Sequence, residues 1–266
     1  MDAVSGERAR LVRAGSRTVK PPSTALIALE VPRGAWGLAS LLGARALLAQ
    51  GPRGDGRPVL LLPGLFNSDG SGIFLRRYLV SLGYRAEGWG LGRNYGARTI
   101  GVDGEQLHER IAALHAATGE PVTLVGVSLG GIMARFAAHR WPDLVREVVT
   151  ISSPFAGSPR ATNVWRAFEM ITGDRIDAPR VVEQSALIAQ APPVPTTAIW
   201  SRSDGLVNGM ICHDEDGRSV EVRSSHVGVQ VRPAVLLAVA RILGDTPVAP
   251  AQAGAAQFGP PAARHS

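Results

Sequence analysis

Short apolar runs alternate with segments of helical periodicity along most of the chain. Runs rich in β-branched and aliphatic residues, each long enough for one strand, cover 59–62, 121–125, 145–151 and 196–200. A short strand is also predicted at 85–89, and residues 219–223 alternate between polar and apolar positions like another strand. Between them, apolar residues recur every three or four positions, as in the predicted helices at 71–83, 103–118 and 233–243. This alternation predicts an α/β fold, with a mainly parallel sheet flanked by helices and joined by right-handed crossovers.

One connection is much longer than the others. Residues 156–195 separate two predicted strands, and a simple crossover needs far fewer than forty residues. We expect a helical lid insertion here, with helices near 162–172 and 180–191. The first helix carries the large apolar residues Trp165, Phe168, Met170 and Ile171. These side chains either line a substrate pocket or only pack the insertion against the sheet.

A Gly-Val-Ser-Leu-Gly sequence at 126–130 lies between a predicted strand and a predicted helix. The motif alone is weak evidence, because the chain contains 31 glycines. Its position matches a nucleophile elbow, in which a sharp turn exposes the serine. Glycines at 126 and 130 would let the strand and the helix approach where a Cβ would clash. Ser128 is therefore the candidate nucleophile, and the alternative is an ordinary glycine-rich loop in which Ser128 caps the helix.

A nucleophilic serine needs a base and an acid that orients the base, and both follow in the order Ser, Asp, His. Asp204 comes directly after the predicted strand at 196–200, and His226 directly after the one at 219–223. The carboxyl ends of parallel strands meet at one edge of a sheet. We therefore expect both side chains near Ser128.

Other residues could take these two roles. His213 also follows Asp204, but it leads into a predicted strand and does not follow one. Asp177 and Asp214 are alternatives to Asp204, yet neither comes after a strand-like run. The sequence favours His226 as the base and Asp204 as the acid.

Acyl transfer also needs N–H donors for the oxyanion. One donor comes from the residue after the nucleophile and the other from a loop after an early strand. Here these residues are Leu129 and Leu65, which follows an apolar run that breaks at Pro-Gly. Read alone, the Pro-Gly pair is also consistent with a plain strand end.

The chain resembles the α/β-hydrolase superfamily, and more narrowly a group of bacterial serine esterases and lipases with Leu-Pro-Gly in the oxyanion loop. The similarity covers roughly residues 22–243, and its main stretches are 59–65, 82–84, 88–94, 126–131, 151–155, 200–204 and 225–228. The resemblance implies the fold, the triad and a carboxylic-ester substrate. The chain departs from the group's pattern at Asn208, Gly209 and Val227, where an aromatic residue and cysteines are common, and Cys212 is left without a partner cysteine.

The resulting prediction is a serine carboxylic-ester hydrolase that forms an acyl-enzyme on Ser128 and uses no cofactor. The expected substrate is a small-molecule or lipid ester. Its expected contacts are Phe66, Phe155, Trp165 and Phe168. An acyltransferase with the same triad is the first alternative, and a noncatalytic lipid-binding homologue is the second.

Length and composition indicate one domain, because 266 residues with 45% hydrophobic content can bury a single large core. We expect this domain to span 22–245, between disordered tails at 1–21 and 246–266. A single cysteine excludes an internal disulfide. The first twenty residues are polar and lack the apolar segment of a signal peptide, which suggests a cytoplasmic protein.

The net charge of +6 raises the question of an anionic partner. The arginines are scattered and no basic run with interleaved aromatics occurs, so nucleic acid is not expected. Residues 25–50 predict one or two amphipathic helices, which either cap the sheet or contact a membrane surface. The acidic residues 214–216 lack the spacing of a calcium loop, and His108 and His115 indicate a solvated helix face, so no metal site is predicted.

Overall fold

The core of the molecule is a parallel sheet, seen in a computed structural model that describes residues 19–213 and 217–245. Its strands are β1 (Pro58–Leu62), β2 (Arg85–Gly88), β3 (Val122–Val127), β4 (Val145–Ile151), β5 (Thr196–Trp200) and β6 (Arg218–Glu221). They lie in the order β2-β1-β3-β4-β5-β6, and every neighbouring pair is parallel. Each strand corresponds to one of the six strands predicted from the sequence.

Helices cover both faces of this sheet. They are α1 (Thr24–Ala28), α2 (Glu30–Ser40), α3 (Arg45–Leu48), α4 (Ile73–Leu82), α5 (Ala97–Ile100), α6 (Glu105–Thr118), α7 (Leu129–Arg140), α8 (Trp165–Thr172), α9 (Pro179–Ala189) and α10 (Pro233–Asp245). Val59 and Leu61 pack with α4 and α10, whereas Leu60 and Leu62 pack with α6 and α7. Successive strand residues thus point to opposite faces, and both faces are buried. The predicted α/β architecture is confirmed.

The long connection from β4 to β5 contains α8 and α9, close to the two helices expected there. Arg135 of α7 joins this insertion to the central domain. It is fully buried, and its Nε donates to the carbonyl of Ile188 at 2.8 Å and one terminal nitrogen to that of Gln190 at 2.7 Å. The guanidinium also lies 3.8 Å from the ring centre of Phe155. A cation at these carbonyls stabilises the C-terminal end of α9, where helical carbonyls have no partners within the helix.

The amphipathic segment predicted at 25–50 forms three short helices, and part of it packs on the carboxyl edge of the sheet. A Cβ on Gly34 would lie 2.8 Å from the carbonyl oxygen of Val227. Large apolar side chains on the same segment are exposed, namely Val31, Trp36, Leu38 and Leu42. No helix in the described ranges combines the length and the apolar character needed to cross a bilayer. Contact of this segment with a membrane surface stays a prediction.

The two predicted tails fall almost entirely outside the described residues. Residues 1–18 and 246–266 are not described, nor is the acidic turn at 214–216. The backbone carbonyl of Lys20, a residue that the sequence places in the first tail, accepts a hydrogen bond from the side-chain nitrogen of Asn208 at 2.9 Å.

The anchoring role of Arg135 leads to a prediction about stability. Arg135→Met should lower the free energy of unfolding by about 2–4 kcal/mol, because it leaves buried carbonyls without their charged donor. Arg140→Met on the same helix is the matched control, since Arg140 is exposed and its loss should cost less than about 0.5 kcal/mol. Urea denaturation followed by circular dichroism measures both values. Equal losses in the two variants would contradict the anchoring role.

Candidate active site

Ser128 lies at the turn between β3 and α7 in a strained backbone conformation. Its φ is 52° and its ψ is −118°, a region that residues other than glycine seldom adopt. The turn is very tight. A Cβ on Gly126 would lie 2.3 Å from the carbonyl oxygen of Gly130, and a Cβ on Gly130 would lie 2.2 Å from that of Leu62. Both distances are impossible for real atoms, so the expected steric reason for the two glycines is confirmed.

The structure brings together the three residues that the sequence singled out. His226 Nε2 lies 3.1 Å from Ser128 Oγ, and His226 Nδ1 lies 2.7 Å from Asp204 Oδ2. The other oxygen, Asp204 Oδ1, accepts the backbone N–H groups of Leu206 and Val207, both at 2.9 Å. An ionised Asp204 can only accept, so Nδ1 carries the proton and Nε2 is free to accept the hydroxyl proton of Ser128.

The surroundings of His226 change its proton affinity. Burial acts to lower the pKa of His226, but the charge of Asp204, the hydrogen bond to it and the charge of Glu30 together outweigh burial and raise this pKa. The imidazolium that forms when Nε2 takes a proton is therefore stabilised. This is the electrostatic requirement for a general base beside a hydroxyl nucleophile.

The rival residues lie in other surroundings. His213 is buried, and its ring stacks on Trp200 at 4.1 Å between centres. Asp177 is exposed and pairs with Arg160 at 2.7 Å. Asp214 lies outside the described residues. Neither His213 nor Asp177 contacts Ser128 or His226 among the hydrogen bonds of the described residues.

The loop after β1 lies against the elbow. A Cβ on Gly64 would approach the Cβ of Ser128 to 3.4 Å, and Leu65 borders the same cavity as Ser128 and Leu129. Within 19–213 and 217–245, neither the N–H of Leu65 nor that of Leu129 makes a hydrogen bond. Two unpaired donors beside a serine hydroxyl can stabilise a negative oxygen.

Asn94 fixes the shape of this loop. It is fully buried, and its side-chain nitrogen donates to the carbonyl of Pro63 at 2.7 Å. Its backbone carbonyl accepts the N–H of Phe66 at 2.8 Å. The sequence placed Asn94 only within a stretch of family resemblance and predicted no role for it. An asparagine in a glycine-rich stretch is usually a turn residue, and nothing local indicates its long-range partners.

An apolar cavity of about 200 Å³ opens beside Ser128. The central domain contributes Ile132, Met133, Phe136 and Phe155, and the insertion contributes Val164, Trp165, Phe168, Ile176, Val181 and Ile188. Phe155, Trp165 and Phe168, three of the four predicted substrate contacts, line this cavity, and their contact with a substrate stays a prediction. Phe66 does not line this cavity; its ring is about half exposed and packs edge-on against Tyr95 at 5.8 Å. The backbone of Phe66 has a positive φ of 67°, and its ring lies outside the cavity where a substrate contact was predicted.

The second residue that the sequence did not single out is Glu30 of α2, which is 2% exposed. Its two carboxylate oxygens accept the backbone N–H groups of Gly205 and Val227, both at 2.7 Å. In the sequence, Glu30 only interrupts an apolar segment. Partners 175 and 197 residues away leave no local signal.

The effect of Asp204 on His226 can be measured without a substrate. Asp204→Asn should lower the pKa of His226, because it removes the nearest negative charge and leaves burial as the dominant influence. Asp177→Asn, which neutralises an exposed carboxylate, is the control and should leave the titration in place. An NMR pH titration of the histidine ring signals reports both. A larger shift in the Asp177 variant would refute the assigned partner.

Comparison with known proteins identifies the fold. No family model matches the chain. It is similar to the solved structure of the mature lipase BlEst2 from Bacillus licheniformis, with a TM-score of 0.53 and 15% identity over 73% of this chain and 94% of that one. It is also similar to the pyrethroid hydrolase PytH, with a TM-score of 0.50 and 17% identity over 72% of this chain and 98% of that one. Identities this low speak for the fold alone, and the chain has the α/β-hydrolase fold.

Proposed function

We propose that the chain is a carboxylic-ester hydrolase that forms an acyl-enzyme on Ser128. The observation that supports this most strongly is the row of hydrogen bonds from Ser128 through His226 to Asp204, at 3.1 Å and 2.7 Å. Ser128 lies beside an apolar cavity that Leu65 and Leu129 also line, and within the described residues the N–H groups of these two leucines make no hydrogen bond. Nucleophile, base, orienting acid and oxyanion donors are the parts that acyl transfer needs.

The proposed reaction follows from where each atom lies. Ser128 Oγ attacks the acyl carbonyl while His226 Nε2 takes the hydroxyl proton, and the N–H groups of Leu65 and Leu129 stabilise the oxyanion. The ester C–O bond then breaks, and His226 returns the proton to the leaving alkoxide. A water molecule repeats the sequence on the acyl-enzyme and releases the carboxylic acid. Asp204 retains the Nδ1 proton and stabilises the imidazolium throughout.

The cavity supports an ester with an apolar acyl group as the substrate. Its walls combine core residues of the central domain with apolar side chains from α8 and α9, so bound methylene groups would leave water. Trp165 and Phe168 are partly buried on the side of α8 that faces the cavity. We infer that the insertion is the lid of this site and contributes to acyl-chain selectivity.

Loss of the nucleophile tests the proposal. Ser128→Ala should reduce kcat for an activated ester by about 10⁶, the scale known for a serine hydrolase that loses its serine. A fluorophosphonate probe should label wild type at Ser128 and should not label the variant. Ser81→Ala, at an exposed serine of α4, is the control and should keep full activity and labelling. Unchanged hydrolysis by folded Ser128→Ala protein would refute the proposal.

Product analysis separates the proposal from its nearest alternative. With an added alcohol in excess, a hydrolase should still release mainly the free acid. Transfer of most acyl groups to the alcohol, at the same dependence on Ser128, would show an acyltransferase. A folded wild-type chain that neither turns over esters nor reacts with the probe would favour lipid binding without catalysis.

Acyl-chain selectivity tests the role of the lid. Each buried methylene contributes about 0.8 kcal/mol, close to fourfold in kcat/KM if the burial persists in the transition state. Specificity should therefore rise from acetyl to at least medium-chain esters. Trp165→Ala and Phe168→Ala should flatten this rise and leave acetyl-ester turnover within a few-fold. Met170→Ala is the matched control, since Met170 lies on the same helix but is 79% exposed.

Two results would contradict the proposed role of the lid. If wild type prefers acetyl esters, the apolar cavity does not bind the acyl chain. If the Trp165 and Phe168 variants lose all substrates in proportion together with thermal stability, these side chains only pack the insertion.

A further inference from the structure

Glu30 connects two loops that the proposed chemistry depends on. Gly205, which donates to Glu30 Oε1, directly follows Asp204, and Val227, which donates to Glu30 Oε2, directly follows His226. One carboxylate therefore bridges the backbone beside the acid and the backbone beside the base. The two loops come from the ends of different strands, β5 and β6, and each could otherwise move without the other.

We infer that Glu30 is a positioning residue that sets the distance between Asp204 and His226 and supports the base electrostatically. The inference rests on the proposed function, because it assigns Glu30 a part in the same reaction. Glu30 is not among the described residues that line the cavity, and its carboxylate hydrogen-bonds to Gly205 and Val227 and not to Ser128. It acts through the backbone of its two neighbours and through its charge.

The packing of the N-terminal helices supports this role. A Cβ on Gly205 would lie 2.5 Å from the carbonyl oxygen of Leu26 in α1, so the backbone after the acid is in direct contact with that helix. Arg33, one turn after Glu30 on α2, donates to the carbonyl of Ser203 at 2.6 Å and to its hydroxyl at 2.8 Å. Helix α2 and its neighbour α1 thus contact the loop that contains Asp204, called the acid loop from here on, on both sides of Asp204.

The loop that contains His226, called the base loop, is hydrogen-bonded to the acid loop. The hydroxyl of Ser203 donates to the carbonyl of Ser224 at 3.1 Å, and that of Ser201 donates to the same carbonyl at 2.9 Å. Ser224 precedes His226 by two residues, and Val227 follows it. The base loop is therefore held on both sides of His226, by the acid loop before it and by Glu30 after it.

Both oxygens of Glu30 face backbone donors, which suits an ionised carboxylate and not an acid, whose O–H would point at an N–H group. The charged groups that act on His226 are Asp204 from the acid loop and Glu30 from α2, and both oppose the effect of burial on its pKa. Burial and the charge of Asp204 hold the pKa of Cys212 well above its ordinary value, so its thiol stays neutral. Burial and the positive charge of Arg33 on α2 lower the pKa of Arg232.

A buried glutamate with two hydrogen bonds could also serve stability alone, and a second such residue allows the comparison. Glu147 on β4 is likewise 2% exposed, and its Oε1 accepts from Arg57 and Thr123, both at 3.2 Å. These partners lie at the opposite end of the sheet, since Thr123 is near the start of β3 and Ser128 follows its end. Glu147→Gln is therefore the matched control for Glu30→Gln.

The test is a pH profile of ester hydrolysis for both variants. Glu30→Gln should reduce kcat by about 10- to 100-fold, the scale of a small misplacement of catalytic groups, with KM within twofold. The base acts only when neutral, so kcat/KM falls below the pKa of His226. Removing the charge of Glu30 lowers that pKa, and the acid limb of the profile should move to lower pH. Glu147→Gln should lower Tm but leave kcat and the acid limb in place.

Two results would overturn the inference. One is full kcat with an unmoved acid limb in Glu30→Gln, whatever its Tm. The other is the same shift in both variants. If Glu30→Gln does not fold, Glu30→Asp keeps the charge but not the reach, and it should lower kcat at unchanged KM; full activity in this variant would overturn the inference.

An NMR titration of the His226 ring keeps this test separate from that of the proposed function. It needs no substrate, and the pKa of His226 should be lower in Glu30→Gln than in wild type. If wild-type protein is inactive on esters but the pKa of His226 is lower in Glu30→Gln than in wild type, the proposed function is refuted and the electrostatic effect of Glu30 on His226 is supported. If wild-type protein is active but the pKa of His226 is the same in Glu30→Gln and wild type, only the electrostatic effect of Glu30 on His226 is refuted.

Discussion

Asp204 is 2% exposed, and a carboxylate in such a place is stable only when both of its oxygens are hydrogen-bonded. Two consecutive N–H groups of its own loop satisfy one oxygen, and His226 satisfies the other. The imidazole consequently has one orientation and one tautomer, with Nε2 directed at Ser128. The requirement to pair one buried charge thus fixes the loop after β5, the ring after β6 and the direction in which a proton can move.

A second buried carboxylate, Glu30, is paired entirely by backbone donors from those two loops. Two negative groups near one imidazole would repel each other in isolation. The N–H groups around them and the proton on Nδ1 offset that repulsion, so the loops cannot relax separately without exposing a charge to an apolar interior. The N-terminal helices are in this sense part of the site, although they contribute no strand to the sheet.

The sequence predicted the sheet well because β1, β3, β4 and β5 are buried runs of mainly apolar residues, a pattern that each segment contains by itself, whereas the partly exposed edge strands β2 and β6 followed from the regular alternation of strands and helices. Ser128 was recognisable for a similar reason, since the two glycines of a tight turn are local. Asp204 and His226 could be located because chain order and parallel topology place both at one edge. Prediction failed where a role depends on distant backbone: Glu30 and Asn94 look like ordinary helix and turn residues, and their partners lie on other elements.

Phe66 shows the same limit in a different way. Its position next to the proposed oxyanion loop suggested a substrate contact, but the loop turns at a positive φ and the ring packs on Tyr95. Local backbone geometry of this kind is set by Asn94, which the sequence pattern does not reveal. Neighbouring positions in the chain therefore do not guarantee neighbouring side chains at the site.

The attachment of the insertion has a consequence for how this scaffold can diversify. Arg135 binds the end of α9 to the helix that follows Ser128, whereas α8 buries only Thr172, and no buried arginine of the described residues donates to its last carbonyls. Mutations that change α8 are therefore under weaker structural constraint than mutations at the end of α9. Under the proposed function, changes in α8 would alter the acyl preference while the junction at 188–190 and its arginine remain.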